Sequence, residues 1–217
     1  MHKPIIQIAA LLTIIAAHST QAAAETTTVI GSWDPARSAS SFEAAPGLSD
    51  ARALLDTQLP DTTIAYQPLL SLTAEALCDV DVLIIDAFRG GPFSQDEIDA
   101  LTAYVWRGGT MLAMVGMTTP CPTSEQEWVN ALTAPFGVSV SNAYCGVNGP
   151  NCTKHPILAS NALVAGVSEF DNCYETGRID GSLAAGAVTL AGDGYGDVLL
   201  HLPPGAFGAG QVLFHLN

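Results

Sequence analysis

Residues 81–116 read DVLIIDAFRGGPFSQDEIDALTAYVWRGGTMLAMVG, and this stretch decides the fold class. Residues 80–85 (VDVLII) form a nearly continuous apolar run, the pattern of a central strand covered on both faces. Ser94-Gln95-Asp96-Glu97 then spells a capping box: a hydroxyl at the N-cap and a carboxylate three residues on, each able to bond the other's backbone N–H. Ile98, Leu101 and Val105 follow at helical spacing and give the helix one apolar stripe. Gly108-Gly109 stops it, because glycine accepts the positive φ of a helix end. Residues 110–115 (TMLAMV) are a second buried strand. Strand, helix and strand in this order make a crossover unit with the strands parallel.

The pattern extends in both directions. Strands are predicted over residues 27–30 and 62–66, helices over 49–59, 94–106 and 125–136, and a helical turn over 73–77. Shorter strands separated by Gly, Pro and Asn turns follow at 139–143, 188–191, 198–201 and 212–216. The expectation is a single α/β domain over residues 25–217, with a mostly parallel sheet, helices on both faces and a β-rich C-terminal part. Such sheets bind ligands outside the carboxyl ends of their strands. The loops 31–34, 87–94 and 116–124 are therefore the places to look. Asp34, Asp86 and Arg89 fall at these strand ends, as groups for a sugar hydroxyl or a cation, or simply as turn caps.

Composition narrows the partners. The chain has 217 residues, of which 48% are hydrophobic and 13% charged, so a disordered chain is excluded. Seven Lys+Arg against 21 Asp+Glu give a net charge of −14, which repels phosphate backbones and anionic lipid. Nucleic-acid binding is not expected. Residues 1–24 have the form of a secretory signal: His2 and Lys3, an apolar stretch too short for a comfortable bilayer span, and small residues at Ala22-Ala23-Ala24. A mature chain beginning at Glu25, secreted or periplasmic and without stable membrane insertion, is expected.

The five cysteines, Cys78, Cys121, Cys145, Cys152 and Cys173, suit an oxidising compartment. Cys78 is expected to be the odd, buried thiol, and the other four to form two bridges. Cys145–Cys152 is the first choice, because both flank a turn-rich segment, with Cys121–Cys173 left over. There is no Cys-x-x-Cys or paired-histidine spacing, so neither a metal site nor a cofactor is expected. Asp193-Gly194-Tyr195-Gly196-Asp197 has part of a calcium loop but lacks its distal glutamate, and reads as a hairpin turn. His201 alternates with apolar residues and reads as structural.

The stretch 81–116, together with His155-Pro156-Ile157 and Ala165-Gly166-Val167, resembles the class I glutamine-amidotransferase-like superfamily, in particular its secreted ThuA-like branch. The resemblance implies a flavodoxin-like, Rossmann-like three-layer fold. It also lets the amidotransferase machinery be checked. Gly90-Gly91-Pro92 matches the loop whose N–H groups form an oxyanion hole, and equally suits a strand-to-helix turn. The nucleophile elbow falls on Val115-Gly116-Met117-Thr118-Thr119, where Met117 replaces the cysteine. The His-x-Glu pair falls on His215-Leu216-Asn217, where the carboxylate is missing.

Two functions remain. The first is a non-catalytic module holding a small ligand, such as a carbohydrate, or a protein partner, with Asp34, Arg89, Gly90, Gly91, Gly116, Met117, Thr118 and His155 as candidate contacts. The second is a hydrolase with a rearranged site, using Cys121 with His155.

Overall fold

The computed structural model describes residues 27–33, 49–86, 91–115, 123–141, 152–173, 177–180, 184–193 and 196–216. The N-terminal segment 1–24 lies outside these residues. So do Asp34, Arg89, Gly90, Gly116, Met117, Thr118, Cys121 and Cys145.

The first half alternates as its sequence predicts: β1 (Thr27–Trp33), α1 (Ser49–Gln58), β2 (Thr63–Leu69), β3 (Val82–Asp86), α2 (Gln95–Trp106), β4 (Thr110–Val115) and α3 (Thr123–Thr133). A 3₁₀ turn (Ala134–Phe136) extends α3. Seven strands follow: β5 (Ser139–Ser141), β6 (Cys152–Pro156), β7 (Glu169–Cys173), β8 (Arg178–Asp180), β9 (Val188–Asp193), β10 (Gly196–Leu202) and β11 (Gln211–Leu216). Three of these, β6, β7 and β8, are absent from the sequence reading.

Nine strands form one sheet in the order β2-β1-β3-β4-β11-β10-β8-β5, with β9 also on β10. The expected parallel sheet is only half of it. β1 runs parallel to β2 and β3, β4 to β3, and β11 to β4. Beyond β11 the pairs β10·β11, β10·β9, β10·β8 and β5·β8 are antiparallel. The sheet is therefore mixed, and no α-helix is described between the C-terminal strands. β6 and β7 form a separate antiparallel hairpin.

Period-two alternation divides the central strands between two apolar layers. Leu83 and Ile85, Met111 and Val115, and Phe214 and Leu216 pack in one layer with Ile98, Leu101 and Val105 of α2 and Val129 and Leu132 of α3. Val82, Ile84, Leu112, Met114 and Leu213 pack in the other with Leu55 of α1 and with Leu163, Val164 and Phe170.

The capping box forms as predicted. The Glu97 N–H donates to Ser94 Oγ at 3.2 Å, and the Ser94 N–H donates to Glu97 Oε2 at 2.8 Å. The Tyr104 hydroxyl, near the end of this helix, lies 3.0 Å from the carbonyls of both Asp81 and Thr110. It thus ties α2 to the starts of β3 and β4. Gly108 takes the expected positive φ of 116°. Gly109 is glycine for a different reason: a Cβ there would lie 2.3 Å from ring atoms of Tyr104.

Cys78 is free but exposed, not buried as expected. It lies in a turn before β3, whose buried residues begin at Val82. Its thiol is pushed up from its ordinary range, first by a hydrogen bond with Asp79, which lowers its thiolate content. No disulfide is formed among the described residues. Cys152 stands opposite Cys173 across β6 and β7, while Cys145 and Cys121, their partners in the expected pairs, lie outside the described residues. No described helix is long and apolar enough to cross a membrane.

Candidate functional site

The strand directions define a rim. β1, β3, β4 and β11 all end on the same side, with Leu216 beside Val115 and Asp86 beside Met114. β10 runs the other way, so its first residues, Gly196 and Asp197, return to that rim. The β9–β10 hairpin sets Asp193 opposite Gly196, as a turn at 193–197 requires, and Ile179 of β8 lies opposite Asp197.

Here the fold assembles a polar cluster that no stretch of sequence contains. Arg178 is 5% exposed, and its Nη2 donates to Asp193 Oδ2 at 3.1 Å while Nη1 donates to the Gly177 carbonyl at 2.8 Å. His155 is fully buried, and its Nδ1 lies 3.6 Å from the same Asp193 oxygen. The carboxylate thus holds a strand of the main sheet and the β6–β7 hairpin together. Gly196 makes room for the arginine: a Cβ there would come within 2.9 Å of Arg178 Cβ, and its φ is 140°. Beside the cluster, Thr189 Oγ1 donates to Asp197 Oδ2 at 2.8 Å. Burial pushes the Asp197 carboxyl up, and the nearby Asp180 adds to that.

The other rim histidine is His215. It is buried, packs edge-on against Phe170 at 4.9 Å between ring centroids, and burial lowers its pKa to about 4. It is neutral near pH 7, and its role here is to pack the hairpin against the sheet. His201 is structural as expected: Nε2 is 3.1 Å from Gln211 Oε1, and burial lowers its pKa.

Of the candidate contacts, the described residues include Gly91 and His155. Gly91 takes a positive φ of 94° with open space around it, so the 91–94 turn depends on glycine there and leaves backbone accessible. Phe93, two residues on, stacks on Trp33 at the end of β1 with centroids 4.6 Å apart. His155 is brought to the rim region but faces inward. Arg178 and Asp193 were not singled out as a pair by the sequence. The available signal was an arginine inside a short alternating segment of a chain with only seven basic residues. No group of three or more metal-ligating side chains occurs among the described residues.

An open hollow lies at the opposite, amino end of the sheet, lined by Leu77, Cys78, Asp81, Tyr104 and Arg107 among others. It is remote from the carboxyl ends where ligands of such sheets bind.

No protein-family model and no curated protein sequence matches the chain. Solved structures do resemble it. The N-terminal domain of mmIFT52 superposes with a TM-score of 0.60 at 16% identity, covering 88% of this chain and 85% of that one. The cytoplasmic protein STM3548 from Salmonella typhimurium gives 0.52 at 14% identity, covering 88% and 86%. A protein described as ThuA-like, from Bacteroides uniformis, gives 0.48 at 11% identity over 91% and 84%, too loose a superposition to carry an argument. At such identities the first two likenesses establish a shared α/β fold along most of each chain.

Proposed function

We propose that the chain is an exported, non-catalytic amidotransferase-like domain that holds a small ligand, such as a carbohydrate, or a protein partner at the carboxyl rim of its sheet. The observation that carries this reading is strand order. β2-β1-β3-β4 followed by parallel β11 is the 2-1-3-4-5 order of flavodoxin-like sheets, whose ligands sit at the switch between the first and third strands. Helices α1 on one face and α2 and α3 on the other favour the corresponding three-layer arrangement. The chain continues from this switch into residues 34–48 and 87–90, where Asp34, Arg89 and Gly90 fall, and from β4 into 116–122, with Gly116, Met117 and Thr118.

Catalysis is disfavoured on chemical grounds. A thioether at Met117 cannot attack a carbonyl, and the Asn217 side chain is an amide where a carboxylate would orient His215. In the alternative hydrolase, His155 would serve as base, yet its ring is fully buried against Asp193 and would meet substrate only if the hairpin lifted. Export follows from the reading of residues 1–24.

The test uses the exported protein, whose N-terminal sequence is expected to begin at Glu25. A panel of mono- and oligosaccharides is titrated by calorimetry, and ammonia release from glutamine is followed in parallel. Saturable binding weakened by Arg89→Ala, without ammonia release, is the expected result. Glutamine turnover abolished by Cys121→Ser would replace this reading with the hydrolase.

A further inference from the structure

We infer that Cys152 and Cys173 are a cross-strand redox pair that closes into a disulfide and staples the β6–β7 hairpin.

The two cysteines are Cα partners at the open end of the hairpin, in the series Cys152↔Cys173, Thr153↔Asn172, Lys154↔Asp171, His155↔Phe170 and Pro156↔Glu169. Opposite residues of an antiparallel pair alternate between hydrogen-bonded and non-hydrogen-bonded sites, with Cα atoms about 5.5 and 4.5 Å apart. Two observations fix which is which. The Ile157 N–H donates to the Ser168 carbonyl at 3.3 Å, so the rung beyond Pro156↔Glu169 is hydrogen-bonded. Pro156 has no N–H to give, which suits a non-hydrogen-bonded rung. Counting by twos from Pro156, Cys152↔Cys173 is also non-hydrogen-bonded. That is the closer of the two kinds of site, with Cβ atoms at their nearest, and its Cα spacing lies within the span a disulfide bridges. No backbone movement is needed.

Along the hairpin, Lys154, Pro156 and Glu169 are exposed, whereas His155 and Phe170, at the intervening positions, are buried. A Lys154–Glu169 ion pair crosses the exposed face.

The step is thiol–disulfide exchange with a small-molecule disulfide such as oxidised glutathione. One Sγ attacks the oxidant's S–S bond and releases one glutathione thiol. The second Sγ then displaces the other glutathione from the mixed disulfide. Both protein thiol protons end on the two glutathione thiols, and two electrons pass to the oxidant. The staple holds the strands that carry His155 and Phe170, the side chains through which the hairpin contacts Asp193 and His215.

The full chain is equilibrated with oxidised glutathione, alkylated and mapped by non-reducing peptide analysis. A peptide joining Cys152 to Cys173 is expected. Cys152 joined to Cys145, Cys173 joined to Cys121, or both cysteines alkylated would overturn the inference. Thermal melting provides the second readout. Closing a loop of about twenty residues should raise Tm by about 6–12 °C over the reduced protein. That gap should vanish equally in Cys152→Ser and Cys173→Ser and persist in Cys78→Ser. A gap that survives Cys152→Ser also refutes the pair.

Discussion

Gly109→Ala is the sharpest probe of how α2 is seated on the sheet. The added methyl would lie 2.3 Å from two atoms of the Tyr104 ring and 2.6 Å from a third, far inside contact distance. Tyr104 cannot yield easily. It is 3% exposed, and its hydroxyl is held between the carbonyls of Asp81 and Thr110. Relief therefore means breaking that bridge or shifting the start of β4. Overpacking costs ~1–3 kcal/mol, and a displaced buried hydrogen bond adds ~1–3 kcal/mol. A loss of about 3 kcal/mol should lower Tm by roughly 6–12 °C in a chain of this size. The assay is a double-mutant cycle in urea, with Gly109→Ala, Tyr104→Ala and the pair. Tyr104→Ala alone should cost about 3–5 kcal/mol, as loss of a buried aromatic does. In its background the alanine at 109 meets no ring, so its added cost should fall below about 1 kcal/mol and the coupling should reach about 2 kcal/mol. Additive costs, within about 0.5 kcal/mol, would show that the ring is not what excludes a side chain at 109.

Stability should fall as the solution is acidified from about pH 6.5, the ordinary histidine value, to pH 4, where His215 titrates in the fold. Its folded pKa is depressed, so the unfolded chain binds the proton first and stability rises with pH across that window. The fall should amount to about 3 kcal/mol, with His201 acting in the same sense and the raised Asp197 carboxyl opposing it at the acid end. Urea midpoints from pH 4 to 7 measure it, and His215→Leu should flatten the profile. Asp193→Asn should cost about 2 kcal/mol, because the buried Arg178 loses its carboxylate while Asp193 itself is partly solvated. Chemical denaturation measures that cost, and Arg178→Met in the same chain should recover part of it; full additivity would mean that the ion pair contributes nothing.

Legibility followed locality. α2 could be read to within a residue because its cap, its apolar stripe and its stop are all encoded within about a dozen neighbours. β3, β4 and β11 could be read because strands buried on both faces must be apolar throughout. β6, β7 and β8 could not. Their sequences, CTKHP, EFDNC and RID, mix charged and apolar residues in runs too short for a period to show. The candidate site divides in the same way. The glycine turn before α2 is visible in Gly90-Gly91-Pro92, whereas the Arg178–Asp193–His155 cluster draws on three strands that are remote in sequence.

By itself, then, the sequence determined the parallel half: which segments are central strands, and where α2 starts and stops. These depend on hydrophobic periodicity and capping, which act over a few residues. The tertiary structure alone decided that the sheet turns antiparallel after β11, that Cys152 stands in register with Cys173, and that Cys78 is exposed. It also decided that one carboxylate serves both a buried arginine and a buried histidine. Each of these is a question of register between distant segments. A shift of one residue would exchange every inward and outward side chain, and the local pattern in these short, mixed strands is too weak to choose.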